Sequence, residues 1–291
     1  MKFKGPLKII RPVNCLFATF TTFLGFWYLM DSSPFSILHF PLPITLACLS
    51  TFLIAAGGYA INDFFDFEID KINKPNRPLP KGEISLKQVK TYSMMLFVTG
   101  LIMAFFTRNQ YCFVIAIINM LSLYLYAKDF KKTFLFGNFI VAWNACSTFI
   151  YGALISSNLR NIMPLVCFSF LYTVIREWVK TMEDFDGDIK ENVKSIAVVC
   201  GKENTQKLLY IPAMVLIASV SFFYFTGHIS TILFFILNAV IAIPLIAFLI
   251  VLSRKTDIFT FSKVQNYMKW NMLSIVFIFM TNDMIYRMQQ I

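Results

Sequence analysis

Long apolar segments recur along this 291-residue chain and constrain its fold more than any other feature. A helix needs about 20 mostly apolar residues to cross a bilayer. Nine segments approach or reach that length, at 12–30, 42–61, 91–107, 111–127, 134–155, 162–180, 207–226, 229–252 and 270–288. Only 14% of the residues are charged, compared with about a quarter in a soluble domain. We therefore predict an all-α, polytopic membrane protein with nine transmembrane helices.

The distribution of the 26 Lys and Arg residues indicates how these segments are oriented. If all nine cross the membrane from a cytoplasmic N-terminus, only Arg108, Arg160 and Arg287 lie on the outer side. Cytoplasmic loops are enriched in Lys and Arg, so we predict a multi-pass cell-membrane protein with its N-terminus and acidic loops inside and its C-terminus outside. The formal net charge of +10 then follows from topology, and we expect membrane lipid and no nucleic acid as a partner.

Half of the 16 carboxylates are concentrated in two short stretches, 63–70 and 183–188, each of which follows an apolar segment. Asp63, Asp66 and Asp70 lie at i, i+3 and i+7, which places them on one face of a helix. Asp184 and Asp188, at i and i+4, also share a face. Carboxylates held this closely repel one another unless a cation compensates, and oxygen ligands without His or Cys favour Mg²⁺ over zinc. We predict magnesium binding, against the alternative of two solvated helix ends.

Basic residues follow each acidic stretch and indicate a bound anion. Arg77 lies in the segment 73–82, where prolines restrict the backbone, and Lys194 follows the second stretch. Magnesium combined with Lys and Arg is a common arrangement for holding a diphosphate. The alternative for Arg77 is a charge that serves only the topology of a cytoplasmic loop.

The two acidic stretches occupy equivalent places, each after an even-numbered apolar segment. This predicts one integral-membrane domain, 1–291, built from two pseudo-repeated halves of about 1–133 and 134–291. Such a repeat is expected to bring the two stretches face to face.

The first stretch matches the NDxxDxxxD signature of the UbiA family of intramembrane prenyltransferases, and the second resembles the DxxxD signature of that family. The length of the chain and its number of apolar segments are similar to those of the family. The resemblance implies a bundle of nine transmembrane helices around a central cavity. It also implies Mg²⁺ ions that bind the diphosphate of a prenyl donor and are held by Asn62, Asp63, Asp66, Asp70, Asp184 and Asp188.

The resemblance also implies roles for residues outside the two signatures. Tyr124 and Lys128 match a Tyr-x-x-x-Lys element whose lysine contacts the diphosphate. The expected diphosphate-binding residues are Arg77, Lys128 and Lys194. An allylic diphosphate ionises when its leaving group is stabilised, and the expected catalytic residues are Asp63, Asp66, Asp184, Lys128 and Tyr124. Aromatic faces stabilise the resulting carbocation, and the candidates are Tyr124, Tyr126, Phe64, Phe65 and Trp178.

Further stretches resemble one archaeal branch of the family, the digeranylgeranylglyceryl phosphate synthases. They are 11–14, 76–82, 126–131 and 176–184. This resemblance implies transfer of a geranylgeranyl group from geranylgeranyl diphosphate to the hydroxyl of geranylgeranylglyceryl phosphate, which forms the second ether bond of archaeal lipids. The expected partners are a prenyl diphosphate donor and a lipid-like phosphorylated acceptor. The residues expected to bind the acceptor are Arg11, Asn14, Arg176 and Lys180.

Two other functions and a structural role stay open. The first alternative is a sister branch of the family, whose acceptor is an aromatic ring of a quinone, haem or chlorophyll precursor. Acids in a membrane protein can also line the path of a divalent cation transporter, but these acids lie at the ends of the apolar segments. A purely structural membrane protein leaves the clustered carboxylates unexplained. The residues whose individual roles stay open are Glu183, Asp184, Asp186 and Asp188 as metal ligands, and Glu177 and Tyr124 as a general base.

Overall fold

Every regular element in the described part of the chain is a helix. The computed structural model describes residues 4–27, 42–156, 159–254 and 257–288. Its α-helices are α1 (Lys4–Ile9), α2 (Pro12–Trp27), α3 (Leu42–Phe65), α4 (Phe67–Asn73), α5 (Leu86–Phe106), α6 (Gln110–Lys128), α7 (Phe136–Ser156), α8 (Met163–Glu183), α9 (Phe185–Lys190), α10 (Ile196–Cys200), α11 (Lys202–Phe225), α12 (Thr231–Leu237), α13 (Ile243–Arg254) and α14 (Ile258–Met288). Short 3₁₀ turns lie at Phe130–Lys132 and Arg160–Ile162, and a π-helical turn, Asn238–Ala242, joins α12 to α13. The all-α prediction is confirmed.

Six helical segments in the described ranges are long and apolar enough to cross a bilayer. They are α3, α5, α6, α7, α11 and the continuous run Thr231–Arg254, which contains α12, the π turn and α13. Their surfaces expose large apolar side chains such as Phe105, Phe225 and Phe235. Lipid accommodates such side chains, whereas water disfavours them. The chain is a multi-pass membrane protein.

The other three predicted segments also lie in helices, but these helices are shorter or more polar. The described part of α2 has 16 residues, and its predicted extension to residue 30 lies outside the described residues. α8 carries Arg176, Glu177 and Lys180 in its C-terminal half, and α14 carries Lys263 and Lys269 in its N-terminal half. Because charged side chains are unfavourable in the bilayer core, nine transmembrane helices stay a prediction.

The chain divides into two compact units. Unit 1 comprises Met1–Phe130 and Ser147–Leu159, and unit 2 comprises Lys131–Cys146 and Arg160–Ile291, so that the division runs through α7. In unit 1, α3 packs along α5, and the Ser93 hydroxyl donates a 2.8 Å hydrogen bond to the carbonyl of Gly57. In unit 2, α8 packs against α11 and α14. The predicted pseudo-repeat of 1–133 and 134–291 stays a prediction.

Side-chain caps define where two helices of unit 1 begin. Ser85 starts α5 with a capping box, in which Ser85 and Gln88 satisfy each other's backbone N–H groups. Asn109 starts α6, where its Oδ1 atom accepts from the first backbone N–H groups of the helix. The Asn109 amide also donates to the carbonyl of Leu154 at 2.8 Å. The start of α6 is thereby tied to the end of α7.

α2 and α7 approach each other backbone to backbone at two glycines of unit 1. A Cβ atom built on Gly152 would lie 1.8 Å from the carbonyl oxygen of Thr22, and one built on Gly25 would lie 2.1 Å from that of Phe149. Any larger residue at either position therefore overlaps a main-chain atom. Small residues permit this close approach of helices in membrane proteins.

We predict that Gly152→Ala destabilises unit 1, because its methyl group meets backbone rather than a flexible side chain. The expected loss is about 2–3 kcal/mol, measured as a lower thermal midpoint of the purified protein. Gly187→Ala is the control, because a Cβ atom at Gly187 has no neighbour within 4 Å. An unchanged midpoint for Gly152→Ala would contradict the close approach of α2 and α7.

Candidate functional site

The first acidic stretch lies in unit 1, where α3 ends and α4 begins. The backbone N–H of Asp66 donates to the carbonyl of Asn62 at 3.0 Å, and that of Asp70 donates to the carbonyl of Asp66 at 2.7 Å. The i to i+4 hydrogen bonding of a helix thus continues across the junction. This keeps Asp63 and Asp70 on one side of the chain, as their i, i+7 spacing predicts.

Asp63 and Asp70 converge on one positive centre, the guanidinium of Arg77. Its Nη1 atom donates to Oδ1 of Asp63 at 3.2 Å and also to Oδ2 of Asp70. Both carboxylate side chains are 5% exposed, whereas that of Arg77 is 25% exposed. The turn that follows α4 fixes Arg77, whose backbone N–H donates to Lys74 and whose carbonyl accepts from Lys81. Arg77 is therefore a partner of the first acidic stretch.

A second guanidinium, that of Arg11, reaches Asp63 from the turn between α1 and α2. Its Nη2 atom donates to Oδ1 of Asp63 at 2.6 Å. Its guanidinium carbon also lies 4.9 Å from the centre of the Tyr59 ring, at cation–π distance. The backbone of Arg11 is left-handed, with φ of 49°, an uncommon conformation for a residue other than glycine. The turn thus directs Arg11, predicted to bind the acceptor, toward an aspartate of the first stretch.

Tyr59 joins Arg11, Arg77, Asp63 and Asp70 in one cluster, although the sequence did not predict it as a site residue. It precedes Asp63 by one helical turn of α3, and this i, i+4 spacing is the signal that indicates a shared face. The contact between Arg11 and Asp63 has no such signal, because the two residues are 52 positions apart. Asn14, also predicted to bind the acceptor, has an exposed side chain in α2.

The donor set of the first stretch fits Mg²⁺. Asn62 donates from Nδ2 to Oδ2 of Asp66 at 2.8 Å, so an amide and a carboxylate lie side by side. Asp63 and Asp70 both contact one cationic nitrogen, and their positions therefore suit a positive charge. Within the described residues, no three His, Cys, Asp or Glu side chains form a metal-binding group by themselves. Mg²⁺ is commonly held by one or two carboxylates together with waters and substrate phosphates.

Aromatic side chains lie beside the first acidic stretch. The Tyr124 ring of α6 meets the Phe65 ring edge to face, with 5.8 Å between the centroids. Phe65 also meets Phe64 edge to face, at 5.2 Å. Because Phe65 directly precedes Asp66, these contacts place Tyr124 close to the end of α3.

The two lysines predicted to bind the diphosphate are exposed. Lys128 lies at the end of α6, and its Nζ atom is 3.8 Å from a carboxylate oxygen of Asp129. Lys194 lies in the loop between α9 and α10, where its backbone N–H donates to the carbonyl of Lys132 at 3.0 Å. Both ammonium groups are therefore accessible to an anion.

The second acidic stretch occupies the junction of α8 and α9, in unit 2. The carbonyl of Asp184 accepts from the backbone N–H of Asp188 at 2.9 Å, so this pair spans one helical turn. Asp186 instead lies 3.8 Å from Nζ of Lys202. Burial raises the pKa of the Asp188 carboxyl, and the charges of Asp184 and Glu191 act in the same direction. The Ser195 side chain and the charge of Lys180 act in the opposite direction, and the choice of Asp184 and Asp188 as metal ligands stays a prediction.

One face of α8 carries the basic residues predicted to bind the acceptor. Arg176 donates from Nη2 to Oε1 of the buried Glu177 at 2.7 Å. The Nε atom of Arg176 is also buried and has no hydrogen-bond partner among the described residues. Lys180 follows Arg176 by about one turn and is exposed. A buried donor that lacks a partner is unfavourable, so the Arg176 guanidinium suits an additional anion.

Comparison with known proteins identifies related sequences and folds. The sequence pattern of the UbiA prenyltransferase family matches residues 18–273. The digeranylgeranylglyceryl phosphate synthase of Sulfurisphaera tokodaii is 38% identical over 96% of this chain and 98% of its own length. A solved structure of digeranylgeranylglyceryl phosphate synthase in membranes is 33% identical, with a TM-score of 0.81 over 97% of this chain and 99% of its own. A UbiA homologue from Archaeoglobus fulgidus bound to DMAPP and Mg²⁺ is 17% identical and shares the fold, with a TM-score of 0.71 over 94% of this chain and 99% of its own.

We predict that Asp70→Asn weakens binding of Mn²⁺, a paramagnetic substitute for Mg²⁺, because it removes one of two buried carboxylates that converge on a cation. The expected loss of affinity is about tenfold or more, measured by electron paramagnetic resonance of the purified protein. Glu68→Gln is the matched control on the same helix, because Glu68 is 78% exposed and pairs with Lys71. Equal Mn²⁺ affinities of Asp70→Asn and the unchanged chain would contradict a role of Asp70 in metal binding.

Proposed function

This chain belongs to the UbiA prenyltransferase family, and we propose that it transfers a geranylgeranyl group from geranylgeranyl diphosphate to the hydroxyl of geranylgeranylglyceryl phosphate. The family resemblance of the sequence is confirmed, and the chain is an intramembrane prenyltransferase. The proposal is carried by the convergence of Asp63 and Asp70 on Arg77 at the end of a membrane-spanning helix. Buried acids beside a basic residue suit a metal cation and a diphosphate anion together. The name of the full-length Sulfurisphaera relative supports this choice of acceptor.

We assign magnesium binding to both acidic stretches. When bound, Mg²⁺ supplies positive charge that neutralises the diphosphate as a leaving group. The hydrogen bond from Asn62 orients Asp66, and the helical junction orients Asp63 and Asp70. In unit 2 the one-turn spacing presents Asp184 and Asp188 together. The residues proposed to hold the metal are Asn62, Asp63, Asp66, Asp70, Asp184 and Asp188.

Basic and aromatic residues account for the donor half of the reaction. Arg77, Lys128 and Lys194 donate charge-assisted hydrogen bonds to the diphosphate oxygens. Breaking the allylic carbon–oxygen bond leaves a carbocation, which Tyr124 and Phe65 stabilise through their aromatic faces. The membrane setting excludes the water that would otherwise capture this cation.

Residues of α8 account for the acceptor half. Arg176 and Lys180 bind the acceptor phosphate, and Glu177 fixes the Arg176 guanidinium through its 2.7 Å hydrogen bond. The acceptor hydroxyl attacks the allylic carbocation, the ether bond forms, and the hydroxyl proton passes to the released diphosphate. The other two residues predicted for the acceptor lie near the start of α2, where Asn14 is exposed and Arg11 is held by Asp63.

We also propose that α2, α8 and α14 cross the membrane together with the six apolar segments, which gives nine transmembrane helices around a central cavity. The distribution of charge supports a cytoplasmic N-terminus and an external C-terminus, because only Arg108, Arg160 and Arg287 then lie outside. In this orientation both acidic stretches face the cytoplasm.

The reaction is tested by supplying labelled geranylgeranyl diphosphate and Mg²⁺ to the purified protein in lipid bilayers. We expect an ether product with geranylgeranylglyceryl phosphate, no product with an aromatic hydroxy acid, and loss of turnover with a chelator that added Mg²⁺ reverses. Transfer to the aromatic acceptor alone would instead identify an aromatic prenyltransferase. Magnesium flux without any transfer would identify a cation transporter.

The second acidic stretch generates a separate prediction. Asp184→Asn and Asp188→Asn should each lower turnover about a hundredfold, because each removes charge that holds the metal. Asp186→Asn is the matched control between them, because Asp186 pairs with Lys202 and should retain most activity. Equal losses for all three variants, measured as initial rates at saturating donor, would contradict the assignment of two ligands among these acids.

A further inference from the structure

Arg11 and Arg77 contact the same carboxylate oxygens that a metal ion would use. Oδ1 of Asp63 accepts from Nη2 of Arg11 at 2.6 Å and from Nη1 of Arg77 at 3.2 Å. The same Nη1 atom also contacts Oδ2 of Asp70. A cation that binds to these oxygens must therefore displace at least part of both guanidinium contacts.

The charges of this cluster make the binding of a lone cation unfavourable. Asp63, Asp66 and Asp70 carry three negative charges, and Arg11 and Arg77 offset two of them through their contacts with Asp63 and Asp70. A divalent cation that enters alone leaves a surplus of positive charge among half-buried groups, where screening is weaker than in water. A diphosphate that enters with the cation supplies the missing negative charge and gives the released guanidinium groups new partners.

We propose that Arg11 and Arg77 act as competing counter-ions, which hold Asp63 and Asp70 until a metal and a diphosphate bind together. The inference rests on the proposed function of the site and deepens it. Metal and diphosphate then bind cooperatively, because each removes an obstacle to the other, and such coupling is reciprocal. The site thereby discriminates the metal–diphosphate complex from a free divalent cation.

The backbone around both arginines suits this role. The left-handed turn at Arg11 and the Tyr59 ring fix the direction of its guanidinium, and the turn after α4 fixes that of Arg77. Both side chains retain partial exposure, 30% for Arg11 and 25% for Arg77, which leaves them accessible to an entering anion. Arg11 is thereby assigned to the donor diphosphate, in place of the acceptor phosphate predicted from the sequence.

The proposal predicts opposite effects on metal and diphosphate affinity. In Arg11→Gln and Arg77→Gln, binding of Mn²⁺ alone should become about tenfold tighter, because the carboxylates lose a competing cation. Binding of inorganic pyrophosphate at saturating Mn²⁺ should become about tenfold weaker, because a phosphate partner is lost. Electron paramagnetic resonance measures the first affinity and isothermal titration calorimetry the second, both on the full-length protein in lipid nanodiscs.

Lys71→Gln is the matched control for the loss of one positive charge near the site. Lys71 lies on α4, like Asp70, but its ammonium contacts Glu68 and the Phe67 ring. Its Mn²⁺ affinity should stay within about twofold of the unchanged chain, because charges at an exposed surface are screened. An equal gain in Lys71→Gln and Arg11→Gln would overturn the proposal, because total charge would then explain the effect.

Lysine variants provide a second test in case the glutamine variants of this protein do not fold. Arg11→Lys and Arg77→Lys keep the charge and should raise Mn²⁺ affinity less than the glutamine variants. Unchanged or weaker Mn²⁺ binding in the glutamine variants, at unchanged thermal midpoints, would overturn the proposal. If those variants do not fold, lysine variants with weaker Mn²⁺ binding than the unchanged chain would overturn it as well.

The test is independent of the proposed transfer reaction, because it uses no prenyl substrate. The arginine variants could bind Mn²⁺ more tightly and pyrophosphate more weakly in a protein that transfers no prenyl group to a glycerol phosphate acceptor. That result would refute the transfer reaction and support the counter-ion role of the two arginines. An active transferase whose arginine variants lack these opposite shifts would refute only the counter-ion role.

Discussion

Two carboxylates, Asp63 and Asp70, are almost completely buried at the junction of a membrane-spanning helix and a short helix that follows it. Burial of a carboxylate is unfavourable unless positive charge and hydrogen bonds accompany it. In unit 1 this requirement links three parts of the chain, namely the turn before α2, the α3–α4 junction and the turn that follows α4. The local backbone of each turn directs a guanidinium toward the acids of the α3–α4 stretch.

The membrane setting explains why such a site suits prenyl transfer. Large apolar side chains are exposed on the helices, so the protein can present apolar surface to both lipid and a prenyl chain. Charged groups gather instead at helix ends, at the α3–α4 junction in unit 1 and at the α8–α9 junction in unit 2. This separation allows a diphosphate to bind among polar groups while an allylic carbon stays in apolar, dry surroundings.

The two acidic junctions differ in how their acids are compensated. In unit 1, guanidinium groups contact the buried acids directly. In unit 2, Asp184 and Asp186 are exposed and Lys202 pairs with Asp186, while Asp188 is partly buried. Ion pairs within the protein therefore hold the buried acids of the first junction.

The sequence by itself determined the helical class, the approximate positions of the six apolar membrane-spanning segments and the shared face of Asp63 and Asp70. These features depend on local composition and on the helical repeat, which a sequence displays directly. Arg77 was predicted to bind the diphosphate because it follows the acidic stretch in the same connection, and that role stays a prediction. Only the tertiary structure decided that Arg11 contacts Asp63, 52 residues away, that Lys202 lies 3.8 Å from Asp186, and that Gly25 and Gly152 bring two helices together. Such contacts arise from the packing of distant segments, and no periodicity within one segment specifies its partner.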